Sequence, residues 1–468
     1  MKENDMIAAI ATAYGNGAIG IVRVSGQGAP ALLKRIFREK KGAEAGKLSA
    51  SAPFETHRMY YGDIYANGEV IDEVMVCPML APRSYTKEDT VEIYAHGGMV
   101  VLRSVLDAVL QEGARLAEPG EFTKRAFLNG RINLTQAEAV MDLINAGSDA
   151  ARRAGLRQLG GGLSSRIEGL RDKILHWLAH IELSIDYPEH EDEAKNMRQI
   201  LDEGGEVIAA LEALYQTAAI GRMLKDGVKT AIIGRPNAGK STLLNAILSE
   251  DRAIVHEAAG TTRDILTEHV VVGDMPLLLM DTAGLRDTAD PVEKIGVEKT
   301  RQAAEEAELI LYVVDRTQGF ASEDEKTLQS LKNKPVIVLL NKSDLPTAHP
   351  TPTTAFPTIA ISTRTGQGLD KLYQQISHQF LSASGSASAT PGDGHNHTDI
   401  ITRERHRILI QQATTHVRRA MEEITIGVPE DLVSVNLRAA YLALGEVLGV
   451  AVADDILDRI FAEFCLGK

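Results

Sequence analysis

Residues 234–241 read GRPNAGKS and fit the pattern G-x-x-x-x-G-K-[ST] of a phosphate-binding loop. An apolar run typical of a strand precedes them and a helical pattern follows, which is the context this motif requires. The glycines let the backbone wrap around phosphates, with N–H groups pointing inward at a helix N-terminus. We expect Lys240 to reach the β- and γ-phosphates of a nucleotide and Ser241 to ligate Mg²⁺.

Three more short motifs follow in the order typical of a nucleotide switch. Residues 260–264 read GTTRD, while 281–284 read DTAG and 341–344 read NKSD, each of these two directly after an apolar run. We expect Asp281 to interact with Mg²⁺ and the N–H of Gly284 to contact the γ-phosphate. Thr262 is expected to be the second protein ligand of Mg²⁺. Together with the phosphate loop, these motifs predict a nucleoside triphosphate site.

The preference for a base follows from the aspartate of the NKSD motif. The carboxylate of Asp344 can accept two hydrogen bonds from guanine N1–H and N2–H₂, and adenine offers neither in that arrangement. Ser362, Thr363 and Arg364 lie where a base-contacting loop would close the pocket. The sequence therefore predicts that the site selects GTP over ATP.

The group that orients the attacking water is left open by these motifs. Many small GTPases place a glutamine after the D-x-x-G motif, but this chain has Leu285 there. An aliphatic side chain cannot orient water, so another group must do so or hydrolysis is very slow. Spacing alone does not choose among the nearby acids, which are Asp287, Asp290, Glu293 and Glu298.

Short apolar runs predict the elements that position these motifs. They suit strands buried on both faces of a doubly wound sheet and lie at residues 230–233, 277–280, 309–314 and 336–340.

The rest of the chain has two other patterns. In residues 1 to 118 strands are mixed with helices: segments 19–24 and 70–76 are rich in β-branched residues, and Gly97-Gly98 predicts a turn that opens a helix. Residues 119–225, and the chain from Thr402 onward, have apolar residues at helical spacing.

Composition excludes several classes of protein. A chain of 468 residues predicts two to four domains. A net charge of −14 with 4% aromatic residues argues against a broad basic face or a base-stacking platform. Two cysteines make no disulfide framework, and no apolar run approaches membrane-spanning length. The N-terminal residues MKEND contain acids where a signal peptide needs a basic region. We therefore expect a cytoplasmic protein that does not enter a membrane.

The combination of motifs resembles the MnmE (TrmE) family of tRNA-modification GTPases over essentially the whole chain. The most specific marks lie outside the nucleotide motifs: AAIAT at 8–12, GIVRVSG at 20–26, HGG at 96–98, PGEFTKRAFLNG at 119–130 and the terminal FCLGK at 464–468. The resemblance implies an α/β multidomain fold. Its parts are an α+β folate-binding and dimerisation domain at 1–118, a discontinuous helical domain at 119–225 plus 385–468, and an inserted Ras-like P-loop GTPase domain at 226–382.

The resemblance also implies residue roles. K⁺ would be ligated by Asn237, His256, Ala258 and Thr261, and Mg²⁺ by Ser241 and Thr262. The family's water-orienting glutamate in V-E-x-I-G maps onto Glu293. A one-carbon tetrahydrofolate, in its 5-formyl or 5,10-methylene form, would be bound by Arg23, Glu88, Arg131 and Lys468. Cys465 is the family's C-terminal cysteine, and nucleophile, acid/base group and structural thiol stay open as its role.

The complete set of residues expected to bind GTP combines the motifs and the loop before GTTRD. It comprises Asn237, Ala238, Gly239, Lys240, Ser241, Thr242, His256, Glu257, Ala258, Ala259, Gly260, Thr261, Thr262, Asp281, Thr282, Ala283, Gly284, Asn341, Lys342, Asp344, Ser362, Thr363 and Arg364.

The function implied is potassium-dependent GTP hydrolysis by a homodimer. With an MnmG (GidA) partner, it would add a carboxymethylaminomethyl group to C5 of the wobble uridine of certain tRNAs. Two rivals stay open. One is a regulatory GTPase in ribosome assembly or RNA binding without modification chemistry, and the other is a structural GTP-binding scaffold. Leu285 favours the scaffold, whereas Glu293 disfavours it.

Overall fold

The computed structural model describes residues 5–40, 53–187, 193–249, 268–280, 303–347, 349–350, 353–381, 399–450, 452–465 and 467. The chain divides into two compact units, Met1–Met141 with Leu448–Lys468, and Asp142–Val447. Each unit contains its own sheet, so the expected multidomain α/β class is confirmed. The three domain boundaries stay a prediction.

The first unit begins with seven strands that form one sheet. They are β1 (Ile7–Ile10), β2 (Ile19–Ser25), β3 (Phe37–Glu39), β4 (Tyr60–Ala66), β5 (Glu69–Met79), β6 (Thr90–His96) and β7 (Arg115–Leu116). Their order is β3-β4-β5-β6-β2-β1-β7, and all neighbours are antiparallel except β1 and β7. Strands β2 and β5 confirm the two strands predicted in this region.

Two helices, α1 (Ala29–Ile36) and α2 (Met99–Gln111), pack against this sheet. Helix α2 starts directly after Gly97-Gly98, as the turn predicts. Core residues occupy alternate positions along the strands, because successive side chains of a strand point to opposite faces. It is formed by Val22, Val24, Ile64, Val76 and Ile93 of the sheet with Leu32, Leu33, Leu102 and Val105 of the helices.

The predicted change to helical structure near residue 119 is also confirmed. Five helices follow: α3 (Glu121–Leu128), α4 (Leu134–Ile144), α5 (Asp149–Leu159), α6 (Gly162–Asp186) and α7 (Glu193–Asp226). Helix α6 buries Trp177, whose indole N–H donates to Glu203 of α7 at 2.7 Å. Helix α6 ends at Asp186.

Helix α7 qualifies the prediction that no segment could span a membrane. By length and composition, Met197–Asp226 is apolar enough to cross one. Its apolar side chains, however, pack into the second unit, where Val207, Leu211 and Leu214 are fully buried. Arg222 of the same helix pairs with Glu308. These contacts are typical of a helix in the core of a globular unit.

The second unit contains the doubly wound sheet. Its elements are β8 (Val228–Gly234), α8 (Lys240–Ser249), β9 (Glu268–Val272), β10 (Met275–Leu279), β11 (Leu309–Asp315), α9 (Ser322–Ser330), β12 (Val336–Asn341), β13 (Thr358–Ala360) and α10 (Leu369–Leu381). The order is β13-β12-β11-β8-β10-β9, parallel except for β9. The four predicted strands correspond to β8, β10, β11 and β12, whereas β9 and β13 were not predicted.

Three helices complete the described chain: α11 (Glu404–Thr425), α12 (Glu430–Leu448) and α13 (Asp454–Ala462). Helix α13 belongs to the first unit, where Phe461 packs against α4. Gly120, directly before α3, has a φ of 69°, and a Cβ there would lie 2.5 Å from the Phe461 carbonyl oxygen. Only glycine fits this approach, which explains the glycine of the P-G-E-F segment.

Candidate functional sites

The phosphate loop connects β8 to α8 and is built on unusual backbone angles. Gly234 has a φ of 150° and Gly239 a φ of 100°. A Cβ on Gly239 would lie 2.1 Å from Asn341 Nδ2, and one on Gly234 would lie 2.2 Å from a carbonyl oxygen of β11. Asn237 also has a left-handed φ, 61°, and its side chain is exposed. The loop therefore needs its glycines for both conformation and space.

Lys240 is the first residue of α8 and folds back over the loop. Its Nζ donates to the carbonyl oxygens of Gly234 at 3.0 Å and Arg235 at 2.9 Å. Burial lowers the pKa of this ammonium group. Phosphate oxygens are stronger acceptors than carbonyls for a cation, so this position suits the predicted contact with the β- and γ-phosphates. Ser241 follows in the first turn, and its side chain is half-buried.

Asn341 joins three parts of the predicted pocket. Its side-chain Nδ2 donates to the Ala238 carbonyl at 2.9 Å, and its Oδ1 accepts from the Thr363 N–H at 3.1 Å. The residue lies at the end of β12 and is 1% exposed. The asparagine of NKSD thus holds the phosphate loop and the loop after β13 together.

The residues predicted to recognise the base meet at the same sheet edge. Ser362 donates its hydroxyl to Asp344 Oδ1 at 2.7 Å, which orients that carboxylate and leaves its second oxygen available to a base. Lys342 has a left-handed φ of 63° and pairs with Asp315 at 2.6 Å. Burial alone would raise the pKa of Asp315, but hydrogen bonds from Lys342 and Thr317 prevail and lower it.

A second attachment of the phosphate loop was missed by the sequence reasoning. Arg235 donates to the Gly319 carbonyl at 2.6 Å and pairs with Asp324 of α9 at 3.1 Å. Asp324 is fully buried and accepts hydrogen bonds from Tyr312 at 2.8 Å and from the Ala321 N–H at 2.9 Å. An acid in the first turn of a helix is a recognisable capping signal, but that signal does not reveal the partner in the phosphate loop.

Many predicted residues lie outside the described residues: His256, Glu257, Ala258, Ala259, Gly260, Thr261, Thr262, Asp281, Thr282, Ala283, Gly284, Glu293 and Lys468. Within the described residues, no group of three or more His, Cys, Asp or Glu side chains could hold a metal ion. The predicted metal ligands that are described, Asn237 and Ser241, supply an amide oxygen and a hydroxyl. Both are oxygen donors of the kind that K⁺ and Mg²⁺ accept. Thr242 and Arg364 are exposed.

In the first unit, Tyr85 brings two predicted folate residues together. The Cζ atom of Arg23 lies 5.6 Å from the Tyr85 ring centroid, and that of Arg131 lies 4.7 Å from it. Arg131 also donates to the Tyr85 carbonyl at 3.0 Å. Arg23 donates to Glu92 at 2.9 Å, which fixes its guanidinium. Tyr85 belongs to the loop between β5 and β6, and sequence reasoning did not single it out.

Glu88, in the same loop, is held by a buried charge network. Its Oε2 accepts from the Ser25 hydroxyl at 2.8 Å and pairs with Arg125 at 3.2 Å. Arg125 is 3% exposed and also pairs with Asp5 at 2.6 Å and Glu121 at 3.0 Å. Burial would lower the pKa of Arg125, but its three acidic partners raise it. The network keeps the Glu88 carboxylate oriented and paired with a cation.

The C-terminal segment approaches Arg23. Gly467 has a φ of 86°, and a Cβ there would lie 2.4 Å from the Ile10 carbonyl oxygen of β1. Its own carbonyl accepts a hydrogen bond from Arg23 at 3.3 Å. Cys465 is exposed and has a free thiol. Its backbone carbonyl accepts a hydrogen bond from the Gly120 N–H. The structure thus brings Gly467 of the terminal motif to Arg23, one of the predicted folate residues.

Known proteins match this chain along its length. Residues 6–131 match the model of the GTP-binding protein TrmE N-terminus, and residues 134–465 match the MnmE helical domain. The tRNA modification GTPase MnmE of Geobacillus kaustophilus is 45% identical over 476 residues, covering 100% of both chains. The protein of that name from Listeria welshimeri is 45% identical over 472 residues, covering 100% of both chains. The protein from Finegoldia magna is 43% identical over 470 residues, covering 99% of this chain and 100% of its own. At such identity over the full length, the chain belongs to the MnmE family.

Proposed function

We propose that this chain hydrolyses GTP in a potassium-dependent reaction. With an MnmG (GidA) partner, it adds a carboxymethylaminomethyl group to C5 of the wobble uridine of certain tRNAs. As a member of the MnmE family, the chain is a GTP hydrolase of tRNA modification. The observation that carries the nucleotide part is the bridge made by Asn341 between the phosphate loop and the Ser362-Thr363 loop.

The described residues suit binding of the nucleotide. Lys240 and the N–H groups at the start of α8 neutralise and orient the phosphates. Asp344, oriented by Ser362, accepts from guanine N1–H and N2–H₂. Arg235, tied to Asp324, keeps the loop in one conformation before the nucleotide arrives.

Hydrolysis needs charge compensation and an oriented water. We propose that Ser241 and Thr262 ligate Mg²⁺, and that Asn237, His256, Ala258 and Thr261 ligate K⁺. A bound cation beside the β–γ bridge offsets the charge that develops there. Glu293 orients the water, a role that a glutamine has in many small GTPases and that Leu285 cannot take here.

The first unit is proposed to bind a one-carbon tetrahydrofolate. The residues present fit such a ligand, because Glu88 is held as a paired carboxylate that can accept pterin N–H groups. Arg23, Arg131 and Lys468 supply cations for the carboxylates of the glutamate part. Cys465 lies in the same terminal motif, and its three possible roles stay open.

The setting of the reaction is part of the proposal. We expect a cytoplasmic homodimer, assembled through the N-terminal domain. The net charge of −14 implies that the chain alone binds tRNA weakly. The partner protein then supplies much of the basic surface.

A substitution that changes the preferred nucleotide base tests the nucleotide pocket. Asp344→Asn should weaken GTP binding about 100-fold and favour xanthosine triphosphate, because xanthine carries a C2 carbonyl in place of the N2 amino group. Titration with fluorescent analogues of both nucleotides measures this. Unchanged preference would remove Asp344 from the site.

Glu293→Ala tests the water-orienting role. The variant should lose the stimulation of hydrolysis seen in KCl compared with NaCl, while its affinity for GTP stays within about twofold. Equal turnover in the variant and the parent would exclude Glu293. Asp290→Ala, a nearby acid, is the matched control.

The modification itself is tested by mass spectrometry of wobble nucleosides from cells that lack the gene. Loss of the C5 substituent, restored by the wild-type gene, is the expected result. Unchanged wobble uridines would favour a regulatory GTPase without modification chemistry.

A further inference from the structure

A cavity of about 640 Å³ opens beside Arg131 in the first unit. Its lining consists of His57, Met79, Pro82, Arg83, Ser84, Tyr85, Lys87 and Arg131. Three of these eight residues are Lys or Arg and none is acidic, although acids outnumber bases by 64 to 50 in the chain. Cavities of this size hold small molecules, and this lining selects an anion.

Two of the three cations of the cavity, Lys87 and Arg131, are held by neutral groups. Lys87 has a left-handed φ of 59°, and its Nζ donates to the Gly130 carbonyl at 2.9 Å. Arg131 stacks on Tyr85 and donates to that residue's carbonyl. Within the described part of the chain, Arg83, Lys87 and Arg131 form no ion pair with a carboxylate. Their positive charge is therefore available to a ligand.

Tyr85 makes the cavity continuous with the proposed folate residues. Its ring also lies 5.6 Å from the Arg23 guanidinium carbon, and the neighbouring Ser84 hydroxyl donates to the Glu88 carbonyl. We infer that the cavity binds the oligo-γ-glutamate tail of a folate, and that this chain prefers polyglutamylated folates over the monoglutamate. This inference rests on the proposed folate function, and adds to it the class of folate that is bound.

The chemistry of the tail matches the lining. Each added γ-glutamyl unit brings one carboxylate, and a cavity with three cations can pair with a carboxylate from each of several units. RNA is the other polyanion that these cations could bind, through its phosphates. They are usually met by an extended basic surface. An open cavity that also contains Met79 and Pro82, in a chain of net charge −14, favours the small ligand over RNA.

Calorimetric titration of the full chain tests this with 5-formyltetrahydrofolate carrying one or five glutamates. The wild type should bind the pentaglutamate about tenfold more tightly at low salt. The double variant Arg83→Ala/Lys87→Ala should lose most of that preference. Arg103→Ala, an exposed cation on α2, is the charge control and should keep it.

The outcomes separate the inference from the function on which it rests. Equal affinity of the wild type for the two folates, or a preference that survives in the double variant, overturns the tail site and leaves the folate function standing. Failure of the wild type to bind either folate overturns both. If the double variant keeps the preference but binds tRNA less tightly than the Arg103 control, the cavity is an RNA contact and the inference is wrong.

Discussion

The nucleotide pocket of the second unit and the charged pocket of the first unit are built in different ways. In the nucleotide pocket, backbone conformation does most of the positioning: Gly239 has a φ of 100°, and Asn341 bonds to one carbonyl and one N–H. In the charged pocket, which comprises Arg23, Tyr85, Glu88, Arg125 and Arg131, side chains position one another. Arg125 pairs with three acids, and the Tyr85 ring lies 5.6 and 4.7 Å from two arginine guanidinium carbons. A pocket built from backbone is encoded largely in contiguous motifs whose chemistry can be read locally, whereas the residues of a pocket built from side-chain charges come from separate segments whose partners are not evident from the segments themselves.

The difference has a cause in topology. Strands β8, β11 and β12 are parallel, so the loops after their carboxyl ends converge at one sheet edge. The charged pocket instead gathers residues from β2, from the β5–β6 loop, from α3 and from the C-terminal segment. Four experiments test whether the two pockets differ in this way.

Arg125→Met should have the largest effect, on the stability of the first unit. Removing Arg125 breaks the ion pair of Glu88, whereas Asp5 and Glu121 keep their ion pairs with Arg115, so we expect a cost of about 3 kcal/mol. Hydrogen exchange of the first unit under increasing urea measures this. Arg103→Met, on an exposed face of α2, should stay within about 0.5 kcal/mol. Equal effects of the two variants would contradict the importance of the network.

Gly239→Ala should weaken GTP binding about 100-fold, equivalent to about 2.7 kcal/mol. The new Cβ would lie 2.1 Å from Asn341 Nδ2, so the bridge between the loops must move. A fluorescent GDP analogue reports the affinity. Gly366→Ala is the matched control, since it has a φ of 77° but open space around it. If both variants bind equally, the close approach does not matter.

Arg235→Ala and Asp324→Ala should each weaken GTP binding. The double variant should lose less binding free energy than the sum of the two single losses. We expect a coupling energy of about 1.5 kcal/mol, because the two side chains share one contact. The exposed pair Arg438 and Glu182 should show a coupling below about 0.5 kcal/mol in stability. Additive effects at Arg235 and Asp324 would mean that the buried aspartate only caps its helix.

Acid should destabilise the first unit in part through Glu121. Burial alone would raise the pKa of Glu121, but hydrogen bonds from Arg115, Glu118 N–H and Arg125 lower it below its ordinary 4.5. A lowered pKa adds stability that is present above pH 4.5 and lost as pH falls through the folded value.

Urea midpoints between about pH 3 and pH 6 measure this dependence. Glu121→Gln should reduce the loss of stability on acidification, because the glutamine side chain does not titrate. The exposed Glu118→Gln should leave the pH dependence of the midpoint unchanged. A Glu121 variant with the same acid dependence as the parent would show that other carboxyls account for it.

The elements that the sequence predicted are those with strong local signals. The strands β8, β10, β11 and β12 are short apolar runs, and α2 follows a glycine pair. Strand β13, by contrast, is three residues long and only partly buried, so its composition carries little signal. The helix α13 returns to the first unit across more than 300 residues of chain, and no local pattern could place it there.

The nucleotide motifs are readable from the amino-acid sequence alone, and the resemblance identified the family and predicts the folate residues. Those motifs are contiguous because the chemistry needs successive backbone groups around a phosphate. The folded chain was needed to show that Asn341 ties two loops together, that Arg235 is held by Asp324, and that Tyr85 joins Arg23 to Arg131. Side-chain contacts between distant segments depend on how the sheets and helices pack, and this information is spread over the whole chain rather than written in any one segment.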